Sequence, residues 1–144
     1  MLEIAVVEGQ GGGIGGVIIE KLRQELGSGI TIIALGTNAI ATSTMLKAGA
    51  NEGATGENAV VQTVKKVDII LGSVAILAAN AFLGELTPRM AEAISSSDAH
   101  KILIPLNRNK IEITGTMDEP LPVQVDRLVE RVKYWYQMQK GERC

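Results

Sequence analysis

Short apolar runs alternate along the chain with segments in which apolar residues recur every three or four positions. The unbroken runs predict buried strands, and the recurring spacing predicts helices. The predicted strands span residues 3–7, 30–35, 68–71, 101–106 and 110–114. A very short edge strand is also predicted near residues 51–54, where the segment between two helices leaves room for no more. The predicted helices span residues 17–26, 38–47, 57–66, 73–83, 88–96 and about 122–140. Because strands alternate with helices, we expect a mainly parallel sheet with helices on both faces.

The length fits this arrangement, since 144 residues is close to the roughly 150 residues of one domain. The chain is 46% hydrophobic, which is enough to bury a core and excludes a disordered chain. We therefore expect residues 1–144 to form a single doubly wound, Rossmann-like α/β domain. Right-handed crossovers favour the strand order 3-2-1-4-5, with one added strand.

Glycines are concentrated in one loop between the first predicted strand and the first predicted helix. Six of the 16 glycines lie between Gly9 and Gly16, and Gly11-x-Gly13-x-x-Gly16 has the spacing of the dinucleotide-binding fingerprint. Such a loop lets backbone N–H groups approach a phosphate at a helix N-terminus. The loop predicts a bound nucleotide, dinucleotide or other phosphate ligand. The alternative is a tight, closely packed turn without a ligand.

Two features argue against an ordinary nicotinamide site. The second predicted strand ends in Leu35-Gly-Thr-Asn38, so the acid expected about 20 residues after the loop to bind a ribose hydroxyl is absent. Glu8 directly precedes the loop, and its carboxylate would repel a bound phosphate. The spacing Tyr136-x-x-x-Lys140 matches the catalytic pair of short-chain dehydrogenases, but it falls at the end of the last predicted helix.

Polar residues that follow the predicted strands are the candidates for a binding site. In parallel sheets of this kind, ligands bind beside the carboxyl ends of the strands, where the strand order reverses. The candidate cofactor-binding residues are Gly9, Gln10, Gly11, Gly12, Gly13, Thr37, Asn38, Ser73 and Asn107. His100 precedes its strand, so we expect it at the opposite edge and without a catalytic role.

A small enzyme acting on a phosphorylated or carboxylated metabolite is a second hypothesis. Its candidate catalytic residues are Glu8, as an acid/base with a raised pKa, and Arg108, as a clamp for the anion. Whether the protein is an enzyme stays open from the sequence. His100 and Cys144 are the only histidine and cysteine, which excludes a metal site rich in these residues.

Charge and hydropathy restrict the partners. The net charge is −2, so the chain has no overall basic field for nucleic acid. The most apolar stretch, residues 69–83, is shorter than the roughly 20 residues of a membrane helix. The N-terminus lacks the features of a signal peptide. We therefore expect a cytoplasmic protein that binds neither nucleic acid nor membrane.

The aromatic residues suggest a third hypothesis, a homo-oligomeric interaction or scaffold protein. Tyr134, Trp135 and Tyr136 are consecutive, and three adjacent residues of a helix cannot all face one core. At least one ring should therefore be exposed, which favours a homodimer. Asn80 lies inside the predicted apolar helix 73–83 and would need a partner, either backbone or a second subunit.

Four strings of residues resemble a family of short, glycine-rich bacterial proteins of unknown function. They are Gly9-Gln-Gly-Gly-Gly-Ile-Gly15, Ala34-Leu-Gly-Thr-Asn-Ala39, the segment Lys47–Ala59, and Ile104-Pro-Leu-Asn107. The resemblance covers nearly the whole chain up to the last helix. It implies a cytoplasmic Rossmann-like domain and no particular activity. A resemblance to short-chain dehydrogenases is confined to the glycine loop.

Overall fold

Five parallel strands form one sheet in the order β3-β2-β1-β4-β5. The computed structural model describes residues 1–106 and 110–142, with Glu142 described by its backbone alone. The strands are β1 (Leu2–Glu8), β2 (Ile30–Gly36), β3 (Glu52–Thr55), β4 (Ile69–Ser73) and β5 (His100–Ile104). The helices are α1 (Gly13–Leu26), α2 (Ala39–Ala48), α3 (Glu57–Thr63), α4 (Pro88–Ser96) and α5 (Leu121–Glu142).

Helices cover both faces of the sheet, and the central strand β1 is buried on both sides. On one face, Ile4 and Val6 pack in a cluster with side chains of α1, α2 and α5. On the other face, Ala5 and Val7 pack in a cluster with side chains of α3 and α4. This burial explains the unbroken apolar run over residues 4–7 of β1. The expected doubly wound, Rossmann-like α/β fold is confirmed.

The predicted helix over residues 73–83 is wrong. Only a short 3-10 turn forms there, over Val74–Leu77. Asn80, Phe82 and Leu83 follow with φ angles of 69°, 57° and 55°, which a right-handed helix cannot contain. Asn80 is therefore exposed and does not need the buried partner that a helix would have required.

The predicted strand over residues 110–114 is also wrong. Lys110 has a φ of 57°, which lies in the left-handed region and outside strand geometry. The side chains of Ile111 and Ile113 are 44% and 41% exposed, so their alternation with polar residues does not mark a face buried against the sheet. Among the described residues, β5 is an edge strand with only β4 beside it.

The last helix carries the consecutive aromatic residues on different sides. Trp135 and Tyr136 pack against the core cluster beneath α1 and α5. Tyr134 is 45% exposed, so the expected exposed aromatic ring is present. Within the described part of the chain, no helix has both the length and the hydropathy needed to cross a bilayer.

Candidate functional site

Two turns meet at the carboxyl ends of β1 and β2. The glycine loop after β1 turns tightly, because the Gly12 amide donates to the Gly9 carbonyl at 3.1 Å. The Thr37 amide donates to the Glu8 carbonyl at 3.0 Å, which ties the end of β2 to the end of β1. Asn38 caps α2, since its side-chain oxygen accepts from the Ala41 amide. The topology therefore brings Gln10, Thr37 and Asn38 together, as the sequence predicted.

The glycines of the loop divide into two groups. A Cβ atom at Gly9 would lie 2.6 Å from the Phe82 ring, and one at Gly15 would lie 2.6 Å from the Met45 sulfur. Gly12 has a φ of +73°, and its added Cβ would meet the backbone of α2 at 2.7 Å. A Cβ at Gly11 or Gly13 would have no neighbour within 4 Å. Packing therefore accounts for part of the loop but not for Gly11 and Gly13.

Three backbone amides at this end of α1 are free. Across residues 1–106 and 110–142, the N–H groups of Gly11, Gly13 and Ile14 have no acceptor from the protein. Gly11 and Gly13 are also exposed. Free N–H groups and the helix dipole together form an anion-binding arrangement.

Glu8 points into the protein and caps α1. Its side chain is only 6% exposed. The two carboxylate oxygens accept from the Gly9 amide at 3.2 Å and the Gly15 amide at 2.8 Å. Burial raises the pKa of Glu8, and the two amide bonds offset part of that rise. The raised pKa suits an acid/base, but both oxygens are already held by the backbone.

Glu85 lies in the site and was not predicted from the sequence. One of its oxygens, Oε1, accepts from the Gln10 amide at 3.1 Å, from Thr37 Oγ1 at 2.7 Å and from Asn38 Nδ2 at 2.9 Å. The bond from Thr37 is the main cause of a lowered pKa at Glu85, opposed by partial burial and assisted by the bonds from Gln10 and Asn38. A carboxylate of the chain itself thus occupies three donors at the mouth of the glycine loop.

A signal for Glu85 was present in the sequence. The segment from residue 69 to residue 84 contains no charged side chain, and Glu85 ends it. An isolated acid after a long uncharged segment that starts with a buried strand is a candidate for the crevice beside that strand. The predicted helix over residues 73–83 gave no reason to place Glu85 in this crevice, because a helix would have carried residue 85 away from the carboxyl end of β4.

Of the other residues predicted for the site, Ser73 is buried beside Glu8, and Asn107 and Arg108 have no described position. Ser73 is 4% exposed, and the pairing of Val6 with Leu71 places it level with Glu8 on the neighbouring strand. Its side chain does not cap the following 3-10 turn. Asn107 and Arg108 lie outside the described residues, so the proposed clamp has no described position.

Residues away from the crevice contribute no metal site. His100 is exposed at the amino end of β5, where its ring lies 4.5 Å from the Trp135 ring. This is the edge of the sheet opposite the glycine loop, as the sequence indicated. No group of three or more histidine, cysteine, aspartate or glutamate residues that could hold a metal ion occurs in the part of the chain described.

Comparison with known proteins identifies one matching family and one solved structure of low similarity. None of the curated proteins matches the chain. A solved structure of a dodecameric FMN-dependent Ubix-like decarboxylase from Escherichia coli O157:H7 is similar over 95% of this chain and 94% of its own. Its sequence identity is 12% and its TM-score 0.44, a similarity too low to transfer a function.

The family assignment rests on the sequence itself. The profile of the domain of unknown function DUF3842 matches residues 3–137. This match confirms the resemblance to an uncharacterised family and extends into the last helix. The chain therefore belongs to the DUF3842 family.

Proposed function

We propose that this protein binds a nucleotide or another phosphate-bearing small molecule at the glycine loop. Two observations carry the proposal: the N–H groups of Gly11, Gly13 and Ile14 have no acceptor among the described residues, and packing does not require glycine at Gly11 or Gly13. A phosphate there would accept from several N–H groups and lie at the positive end of the α1 dipole. Backbone without side chains lets the ligand come close.

The surroundings give such a ligand room. A hollow of about 300 Å³ adjoins Gly13 between α1 and α2, and Gly16, Thr44 and Lys47 are among the residues that line it. This volume is at the lower end of the range for small-molecule sites, about 300–1,000 Å³. The charged side chains on the wall of this hollow are Lys47 and Glu20, one of each sign, so the free amides remain the main attraction for a phosphate.

Ligand binding is better supported than the alternative of a small enzyme. In that alternative Glu8 would transfer a proton, yet both of its oxygens accept bonds from buried amides. Each oxygen keeps a second lone pair that could take a proton, but Glu8 is only 6% exposed, which leaves little of its carboxyl group open to a substrate. Arg108, the proposed clamp, lies outside the described residues. A Glu8→Gln variant that abolished a measured turnover without unfolding the protein would restore the enzyme hypothesis.

Thermal shift and calorimetry with defined probes test the proposal. We expect ATP, AMP, NAD⁺ or NADP⁺ to raise the melting temperature, and adenosine, which lacks a phosphate, to raise it much less. A ligand at 100 times its Kd stabilises the native state by about 2.7 kcal/mol, which is a shift of several degrees. The proposal fails if no phosphate compound raises the melting temperature at millimolar concentration.

We further propose that the protein is a homodimer that pairs through α5. Tyr134 and Met138 are each 45% exposed, and residues four apart lie on the same face of a helix. Arg131 lies over the Tyr134 ring at 4.7 Å, so this face of α5 exposes an aromatic ring, a methionine and an arginine, the residue types that are enriched at protein interfaces. The double substitution Tyr134→Ser with Met138→Ser should convert a dimer into a folded monomer.

Light scattering at micromolar concentration measures this change. Ile40→Ser is a matched control, because Ile40 is a 71% exposed apolar residue on α2. It should leave the dimer intact. A wild-type protein that is monomeric under these conditions would contradict the proposed pairing.

A further inference from the structure

The turn over residues 78–86 covers the glycine loop in a strained conformation. Four of its residues have φ angles in the left-handed region, namely Asn80, Phe82, Leu83 and Gly84 at 69°, 57°, 55° and 90°. Only the last is a glycine, and large side chains such as phenylalanine and leucine rarely adopt this conformation. Strain of this kind persists only where surrounding contacts impose it, and it is common at ligand clamps and switches.

The base of the turn is anchored in the core, where Ala81 and Leu86 are 3% and 0% exposed, while its tip at Leu83 and Gly84 is exposed. The Leu83 side chain is 96% exposed, so hydrophobic packing does not compensate for its backbone strain. Within the turn, several backbone bonds close the segment on itself, among them those from the Asn80 amide to the Leu86 carbonyl at 2.7 Å and from the Leu86 amide to the Ala81 carbonyl at 3.0 Å. Toward the site, the Phe82 ring lies against Gly9, and Glu85 accepts its three bonds. The Glu85 carboxylate is therefore the main polar attachment of the turn to the glycine loop.

The three donors on Glu85 come from two separate elements. Gln10 belongs to the glycine loop, while Thr37 and Asn38 follow β2. All three converge on the single oxygen Oε1, which is the arrangement that an anionic oxygen requires. The Gln10 amide is adjacent in sequence to the free amide of Gly11. The Gln10 amide is thus filled by an internal carboxylate, while the Gly11 amide next to it has no acceptor in the described part of the chain.

We propose that Glu85 is an internal competitor of the phosphate ligand and that the exposed tip of the 78–86 turn, which carries Glu85, is a gate. This inference rests on the proposed function, since it concerns how the same ligand enters. A ligand phosphate on the Gly11 and Gly13 amides would lie beside the Glu85 carboxylate, and two negative charges at short distance repel. Release of Glu85 removes this repulsion. It also gives the ligand the donors of Gln10, Thr37 and Asn38.

Binding of ADP by charge-altered variants tests the gate. Glu85→Gln keeps the shape of the side chain and removes its charge, so the Kd for ADP should fall at least about tenfold relative to wild type. Glu52→Gln is the control, because Glu52 is an exposed acid at the amino end of β3 and gives the same change in net charge. Its Kd should equal that of wild type.

Hydrogen exchange of the backbone amides tests the bond between the Gln10 amide and Glu85 in the absence of a ligand. In Glu85→Ala the Gln10 amide loses its acceptor and should exchange at least about tenfold faster, whereas the Gly12 amide, bonded to Gly9, should not change. Weaker or unchanged ADP binding in Glu85→Gln overturns the gate and leaves ligand binding standing. Unchanged exchange at Gln10 in Glu85→Ala also overturns the gate. If no variant binds ADP, orthophosphate or NAD⁺, the proposed function fails, and the gate fails with it.

Discussion

A Gly12→Ala substitution is expected to destabilise the fold by about 2–5 kcal/mol. Gly12 has a φ of +73°, which costs any residue with a Cβ atom about 1–2 kcal/mol. The added Cβ would also lie 2.7 Å from the carbonyl oxygen and 2.8 Å from the Cα of Ala41. These are backbone atoms of α2, so they cannot rotate away as a flexible side chain could. Urea unfolding followed by circular dichroism measures the loss.

Gly13→Ala is the matched control for this prediction. Its Cβ would have no neighbour within 4 Å, and alanine favours a helix over glycine by about 0.5–1 kcal/mol. The stability of Gly13→Ala should therefore equal or exceed that of wild type. Because its methyl group occupies the approach to the free amides, its affinity for the phosphate ligand should drop at least about tenfold.

The pair of variants separates two roles of one glycine-rich segment. If Gly12→Ala were as stable as wild type, the α1–α2 contact would be looser than the structure describes. If Gly13→Ala bound the ligand as tightly as wild type, the free amides would not be the binding site. Equal destabilisation by both substitutions would favour the alternative in which the loop is only a packed turn.

The strand order could be predicted because local patterns and chirality agree. The apolar runs over residues 4–7 of β1, 32–35 of β2 and 69–71 of β4 have no polar interruption, and nearly all crossovers between parallel strands are right-handed. The failure at residues 73–83 has a physical reason. An apolar segment without periodicity does not distinguish a helix from a strained turn, and here the turn is fixed by distant contacts of Phe82 and Glu85.

The candidate site could be predicted only where it depends on local sequence. The glycine loop, Thr37 and Asn38 follow their strands directly, so the edge rule for parallel sheets locates them. Glu85 reaches the same point from 47 residues beyond Asn38, and no local pattern encodes that contact. The sequence also suggested that Glu8 would face the crevice. The structure instead turns its carboxylate onto the Gly9 and Gly15 amides.

A Glu8→Ala substitution should cost about 2–4 kcal/mol, because two buried amides lose their acceptor. Glu8→Gln should behave differently, and its effect should depend on pH. Burial raises the pKa of Glu8 above its ordinary value of 4.5, so the native state keeps a proton that the unfolded state releases. The stabilising contribution of this group is therefore complete below the unfolded pKa. It is lost as the pH rises through the folded pKa.

The difference in unfolding free energy between wild type and Glu8→Gln isolates this contribution, since the other titrating groups cancel. We expect the difference to decrease from pH 4 toward pH 8 in a series of urea titrations. A difference that grew with pH would mean that the amide bonds outweigh burial, and that Glu8 is a fully ionised cap. That result would also remove the raised pKa on which the enzyme hypothesis depends. A decreasing difference leaves Glu8 as a group that can hold a proton near a bound phosphate, where a neutral carboxyl would lower the repulsion that the ligand meets.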